Sequence, residues 1–198
     1  MLATAADRRE RLVTVFREAR DCTRCALSES RSQVVFGAGN ADADLMFVGE
    51  APGAEEDRQG LPFVGRSGAL LTSMLEQAGM SREDVFIANT LKCRPPGNRD
   101  PRPEEIETCS PWLDEQIRLI EPVVIATLGN FATRLLSGRP AGITKVHGVP
   151  QLATLGGRRV YLYPLFHPAA ALRATSTAEL LRRDIAALPE LVSRGQPE

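Results

Sequence analysis

Residues 44–68 read DLMFVGEAPGAEEDRQGLPFVGRSG, and few folds accept such a stretch. Leu45, Met46, Phe47 and Val48 form a short apolar run closed by Gly49, the pattern of a strand buried on both faces. A segment rich in Gly, Pro and acids follows and is expected to be a loop. Beyond it Leu70, Leu71, Met74, Leu75 and Ala78 recur at helical spacing. Strand, long loop and helix in that order make the unit of an open α/β sheet, where a ligand sits beyond the C-terminal ends of the strands. Glu50 directly follows the strand, so a rigid element holds its carboxylate. Glu55, Glu56 and Asp57 read as a solvated acidic run with one member turned inward. Phe63, flanked by Pro62 and Gly65, lies on a segment without core periodicity. A carboxylate at a strand tip with a loop aromatic nearby suits a pocket for a flat, polar ring.

The rest of the chain repeats the alternation. An amphipathic helix is expected over 6–20, with Leu12, Val15, Phe16 and Ala19 on one side. Residues 31–40 read as a short strand or extended segment ending in a Gly-Asn turn. Gly79 closes the helix after the organising loop, and residues 81–84 supply a capping-type turn. A second buried strand is expected over 85–88, with Asn89 at its end and a rigid Pro-rich loop over 92–99. Pro103, Glu104 and Glu105 open a helix, because Pro fits the first turn and acids suit its positive end. A strand over 123–128 leads into a short helix over 130–136 and then a loop over 138–150 that contains Lys145 and His147. The last strand, over 160–166, ends at His167-Pro168. Ser176 and Glu179 form a capping box for a final helix that turns Leu180, Leu181, Ile185 and Leu188 inward. Alternating strands and helices imply an α/β fold with a parallel sheet covered on both faces.

The chain of 198 residues is expected to be a single domain over 1–198, with 192–198 a flexible tail. Lys and Arg number 24 against 25 Asp and Glu, which excludes an overall basic coat for nucleic acid and leaves room for a local basic face. Residues 138–198 carry eight Lys or Arg against four acids, so the basic face is expected there. No apolar run is long enough to span a bilayer, and the charged N-terminus has no signal-peptide core. A cytosolic protein is expected, in which the four cysteines are not paired as disulfides.

Those cysteines are Cys22 and Cys25 in a C-x2-C pair, then Cys93 on the Pro-rich loop and Cys109 within a helix. Four thiolates suit either zinc or an iron–sulfur cluster, and the spacing does not separate them. The alternative is four unrelated buried thiols. The C-x2-C pair, with every cysteine used, favours a metal. His167 taken alone would be a core or capping histidine. In a parallel sheet, however, it shares one edge with Glu50 and Asn89, and that convergence points to function. His147 reads as a surface loop residue within reach of a phosphate.

Four segments together resemble the family 4 uracil-DNA glycosylases, the iron–sulfur type: CTRC, VFGAGNADADLMFVGEAPGAEEDRQGLPFVGRSG, NTLKCRPPGNRDP and HPAAALR. The likeness runs from Cys22 to about Leu188. It implies a three-layer α/β/α sandwich around a four-stranded parallel sheet. It also implies a structural 4Fe–4S cluster on Cys22, Cys25, Cys93 and Cys109. The implied activity is hydrolysis of the N-glycosidic bond of deoxyuridine in single- and double-stranded DNA, with the base flipped out of the stack. Phe63 would stack on the uracil, the Asn89 amide would read its edge, and His167 would donate to O2 as charge builds there. Glu50 would position water and stabilise positive charge on the sugar, with Glu56 in support and the Ala51 carbonyl on the water. Arg66, Ser67, Gly68, Lys145, His147 and Arg173 are expected to touch DNA, and Leu172 to fill the gap left by the flipped base. His147 stands where the family pattern leads one to expect Arg. A monomer is the default expectation, and nucleoid association is expected. A sliding clamp is the natural protein partner of a repair enzyme, but no docking peptide stands out.

Three other readings are less well supported. A relative that traps uracil-DNA covalently would need a histidine after Lys92, and residues 92–112 contain none. A non-catalytic iron–sulfur DNA-binding module does not account for Glu50, Asn89 and His167 together. An electron carrier does not call for a complete α/β pocket.

Overall fold

A computed structural model describes residues 4–197; residues 1–3 of the charged N-terminus and residue 198 of the expected tail lie outside the described residues. The chain runs α1 (Ala5–Arg20), β1 (Ala38–Gly39), β2 (Leu45–Gly49), α2 (Ala54–Gln59), α3 (Arg66–Gln77), β3 (Phe86–Asn89), α4 (Pro103–Ile120), β4 (Val124–Leu128) and α5 (Asn130–Ser137). It continues through α6 (Ile143–Val146), β5 (Gln151–Leu155), β6 (Arg158–Leu165), α7 (Pro168–Ala171), α8 (Thr175–Ala186) and α9 (Leu188–Ser193).

The strands form one sheet in the order β1-β3-β2-β4-β6-β5. Its four central strands are parallel, as expected, but antiparallel strands β1 and β5 extend it to six. Strand β5 escapes the sequence pattern because its alternation is inverted: Leu152 points outward and is 55% exposed. Side chains alternate along each strand, so every central strand feeds two cores. Met46, Val48 and Ile125 pack with Leu12 and Val15 of α1 and with Leu113 and Ile117 of α4. Leu45, Phe47 and Ala126 pack on the other face with Leu71 and Leu75 of α3 and with Leu181 and Ile185 of α8. Each large side chain fully buried this way contributes about 1.5–3 kcal/mol. Helices therefore cover both faces of the sheet, giving three layers.

Several local expectations change for physical reasons. The acidic run is helical: Gly53 caps α2, three acids lie in its first turn, and left-handed Gly60 ends it. Two of those acids, Glu56 and Asp57, turn inward rather than one, and Asp57 accepts the Ser32 N–H. Phe16 is 41% exposed, resting edge-on against Phe36 instead of entering the core. The Ser176–Glu179 capping box does not form, because α8 starts at Thr175 with Ala174 as its uncapped N-cap. The last helix is two helices, since Pro189 lacks the N–H needed to continue α8. The final turn of α9 occupies the start of the stretch expected to be a tail, and the Gln196 amide donates to the Glu121 carbonyl.

The order of the central strands places the reversal of connection at β2. From β2 the chain steps to β3 on one side, then crosses to β4 and β6 on the other. Ligands collect at such a point. Gly49 lies opposite Asn89 in the register, and Leu128 lies opposite Leu165, so residues that follow β2, β3 and β6 share one edge.

Candidate active site and cysteine cavity

A cleft of about 800 Å³ opens at that edge. Glu50, Ala51, Glu56, Phe63, Arg66, Ser67, Asn89, His167 and Arg173 all line it. Gly68, Lys145, His147 and Leu172 do not, although each was expected near the ligand.

Asn89 ends β3 and is 2% exposed. Its Oδ1 finds no hydrogen-bond partner among the described residues. An unsatisfied buried amide oxygen costs about 1–3 kcal/mol, so this one is set for a donor that arrives from outside. The Asn89 main-chain carbonyl accepts from Lys92 Nζ at 2.8 Å.

His167 caps α7: its Nδ1 accepts the Ala169 N–H at 3.1 Å. A ring nitrogen that accepts carries no hydrogen, so the neutral ring is protonated at Nε2. Burial lowers the pKa of His167 from the ordinary value of 6.5, opposed by the charge of Glu56. The site therefore holds a neutral imidazole with one N–H to give.

Phe63 has φ = 50°, a left-handed conformation rare for a bulky side chain. Such a conformation costs about 1–3 kcal/mol and needs external support. Glu56 Oε1 accepts the Val64 and Gly65 N–H groups, each at 3.0 Å, and Arg82 donates to the Pro62 carbonyl and to Thr72. Gly68 is needed because a Cβ there would sit on the Phe63 carbonyl. The ring, held in this way, lies 5.7 Å from that of His167 between centroids.

Glu50 follows β2 and is half-buried. Its carbonyl accepts the Leu91 N–H at 3.0 Å, which fixes the backbone. Burial raises its carboxyl pKa above the ordinary 4.5, and the nearby charge of Asp100 adds to the effect. Asp100 and Arg99 belong to the cleft wall and were not singled out in the sequence. Arg99 is held by an ion pair of 2.6 Å to Glu105, which also caps the Arg102 N–H. The signal was present, because both residues lie on the loop that leaves the β3 edge. Arg66 and Arg173 stand exposed at the mouth, in no ion pair among the described residues.

His147 lies in the turn after α6, as expected, but its side chain is partly buried. It follows α6, its ring lies 4.5 Å from that of Phe166, and its Nδ1 is 2.6 Å from Asp184 Oδ2. Lys145 is exposed on the same short helix, and Leu172, 40% exposed, follows α7.

The cysteines form a second site. Cys22 and Cys25 follow α1, Cys93 follows β3 and Cys109 lies in α4, and all four line one cavity. Two N–H groups already point at sulfur: Arg31 Nη1 to Cys93 and the Lys92 amide to Cys109, each at 3.3 Å. As free thiols, Cys93 and Cys109 are pushed up by burial, Cys93 to about 11. Buried thiols of that kind become thiolates when a metal supplies positive charge. Among the described residues no three ligand-type side chains converge on a position for one ion. Four sulfurs lining one cavity, with N–H donors aimed at two of them, are the donor set that either zinc or an iron–sulfur cluster accepts.

Comparison with known proteins identifies the family. The Uracil DNA glycosylase superfamily profile matches residues 36–188. The chain belongs to the uracil DNA glycosylase superfamily. A type-4 uracil-DNA glycosylase of Archaeoglobus fulgidus is 42% identical over 192 residues, covering 95% of this chain and 96% of that one. Another, from Thermotoga maritima, is 48% identical over 170 residues, 85% of this chain and 87% of its own. A third, from Sulfurisphaera tokodaii, is 43% identical over 175 residues, 86% of this chain and 80% of its own. The superfamily match contains Glu50, Phe63, Asn89 and His167, together with Cys93 and Cys109. Cys22 and Cys25 precede it and lie in the longer stretch shared with the Archaeoglobus protein. No helix among the described residues is long and apolar enough to cross a membrane.

Proposed function

We propose that this chain is a DNA repair glycosylase that hydrolyses the N-glycosidic bond of deoxyuridine in DNA, releasing uracil and leaving an abasic site. The buried, unpartnered Oδ1 of Asn89, beside Phe63 and His167, carries the reading. The base must leave the helix to reach it. Phe63 stacks on the flipped ring. Asn89 Oδ1 accepts the N3–H of uracil, and its amide N–H donates to O4. Cytosine presents the reverse pattern there, so the same side chain rejects it. As the C1′–N1 bond breaks, its electron pair leaves with the base, and the Nε2–H of His167 donates to the developing charge on O2. Water adds to C1′, guided by the Glu50 carboxylate and the Ala51 carbonyl, and the proton it loses balances the negative charge on the departed uracil. Glu50 also faces the positive charge on the sugar. Glu56 acts by holding the loop that carries Phe63.

The substrate in this reading is single- or double-stranded DNA, met by a monomer at the nucleoid. Arg66, Ser67 and Arg173 contact the strand at the cleft mouth, Leu172 enters the gap, and Lys145 and His147 meet phosphates further along. A sliding clamp is the natural partner. Cys22, Cys25, Cys93 and Cys109 hold a 4Fe–4S cluster with a structural role, which fixes the Cys93–Cys109 loop against the cleft.

The deciding experiment is release of free uracil from a labelled oligonucleotide, with alkali cutting the abasic product and iron and acid-labile sulfide measured on the same sample. Cleavage at uracil and not at cytosine or thymine is expected. A cluster-loaded protein that releases no uracil overturns the reading.

The pH dependence supplies a second check. Glu50 acts as a carboxylate, and its pKa is raised, so activity falls in acid at a higher pH than an ordinary carboxylate would dictate. Asp100→Asn removes one of the two causes. The acid limb of the single-turnover rate is expected to move to lower pH in that variant, and an unmoved limb would assign it to another group.

A further inference from the structure

Lys92 is 2% exposed, and lysine is almost never buried so completely unless it is paired. Its ammonium is in no ion pair among the described residues. It donates to the Asn89 carbonyl at 2.8 Å and to Gln116 Oε1 at 2.5 Å, and lies 5.8 Å from the centre of the Phe36 ring. Gln116 is itself fixed by donating to the Phe36 carbonyl. These partners are dipoles and carry no charge. A cation taken from water without a countercharge costs several kcal/mol, a cost that an anionic group beside it would offset. The same residue lines the cysteine cavity, and its amide donates to Cys109 Sγ.

We propose that Lys92 is the buried counter-cation of the cysteine-held cluster, and that it ties the charge of that site to the base-reading end of β3 by gripping the carbonyl of Asn89. The proposal rests on the iron–sulfur reading above. A cluster on four thiolates is anionic, and in a low-dielectric interior a fixed cation nearby is attracted to it strongly. Reduction adds one more negative charge, so the cation favours the reduced form and raises the potential. Lys92 is thus a positioning residue for Asn89: its main-chain amide meets Cys109 and its ammonium meets the Asn89 carbonyl.

Two variants test this in the full-length, cluster-loaded protein. Lys92→Met removes the charge while keeping the length of the side chain. Gln116→Glu leaves Lys92 in place and sets a carboxylate against its ammonium. Both are expected to move the reduction potential of the cluster to more negative values, read by a redox titration followed by electron paramagnetic resonance. Lys92→Met is also expected to lower kcat for uracil release by roughly tenfold through misplacement of Asn89, with KM little changed. A purely structural lysine would leave the potential where it is. Wild-type protein without iron and sulfide would sink the iron–sulfur reading and this inference with it. Loaded wild type with an unmoved potential in a folded variant would sink the inference alone. Gln116→Glu decides if Lys92→Met does not fold.

Discussion

Gly49→Ala is expected to abolish measurable uracil release while the protein stays folded. The added Cβ would fall inside contact distance of Asn89 Oδ1, and 2.8 Å from Phe63 Cζ. Both are side-chain atoms at the wall of the cleft, so the fold absorbs the change by displacing them. The two groups that would read and stack the base then lose their registration. A misplacement near 1 Å costs about 100-fold in rate, and here two partners move together. Single-turnover kinetics and a thermal melt on the same preparation check the result. A variant of normal rate would mean that the base does not bind between Asn89 and Phe63. Gly49 is a strand residue of ordinary appearance, and its importance comes from the atom it lacks.

His167→Ala is expected to reduce the chemical step by about 10²- to 10³-fold, the loss typical of removing one oxyanion donor. Stability should fall by only about 1 kcal/mol, from loss of the cap on α7. Burial lowers the pKa of His167 below its ordinary value, which favours the neutral ring at neutral pH and above. With Glu50 in its proposed role the acid limb belongs to that carboxylate, and it should therefore survive in His167→Ala at a reduced plateau. A limb that disappears with the histidine would make His167 the titrating group and reverse the two roles.

The convergence of Glu50, Asn89 and His167 was legible because each directly follows an apolar run, and parallel strands bring such positions to one edge. Phe63 was legible from the absence of core periodicity around it, and the cysteines from their spacing. Other features depend on information that a linear pattern does not carry. The partner of His147 is Asp184, 37 residues away, and only the packing of α8 brings them together. Arg99 and Asp100 look like loop charges until the ion pair with Glu105 fixes where the loop lies. Strand β5 breaks the usual alternation by pointing Leu152 outward. Lys92 sits in a stretch where lysine ordinarily marks a surface, and only its burial exposes the conflict.

Helix α7 is four residues long, starts beside His167 and stops at buried Ala171, so Leu172 and Arg173 stand a fixed step beyond the histidine. The segment behaves as a gauge. With the proposed roles, the side chain that fills the vacated stack and the one that meets the departing base are set apart by a stiff spacer. A protein with those roles would measure a strand before acting on it. A lone deoxyuridine nucleoside offers nothing for the far end of the gauge to engage. The binding energy of the flanking strand is then spent on aligning the bond to be broken, and polymeric DNA is favoured over its own monomer.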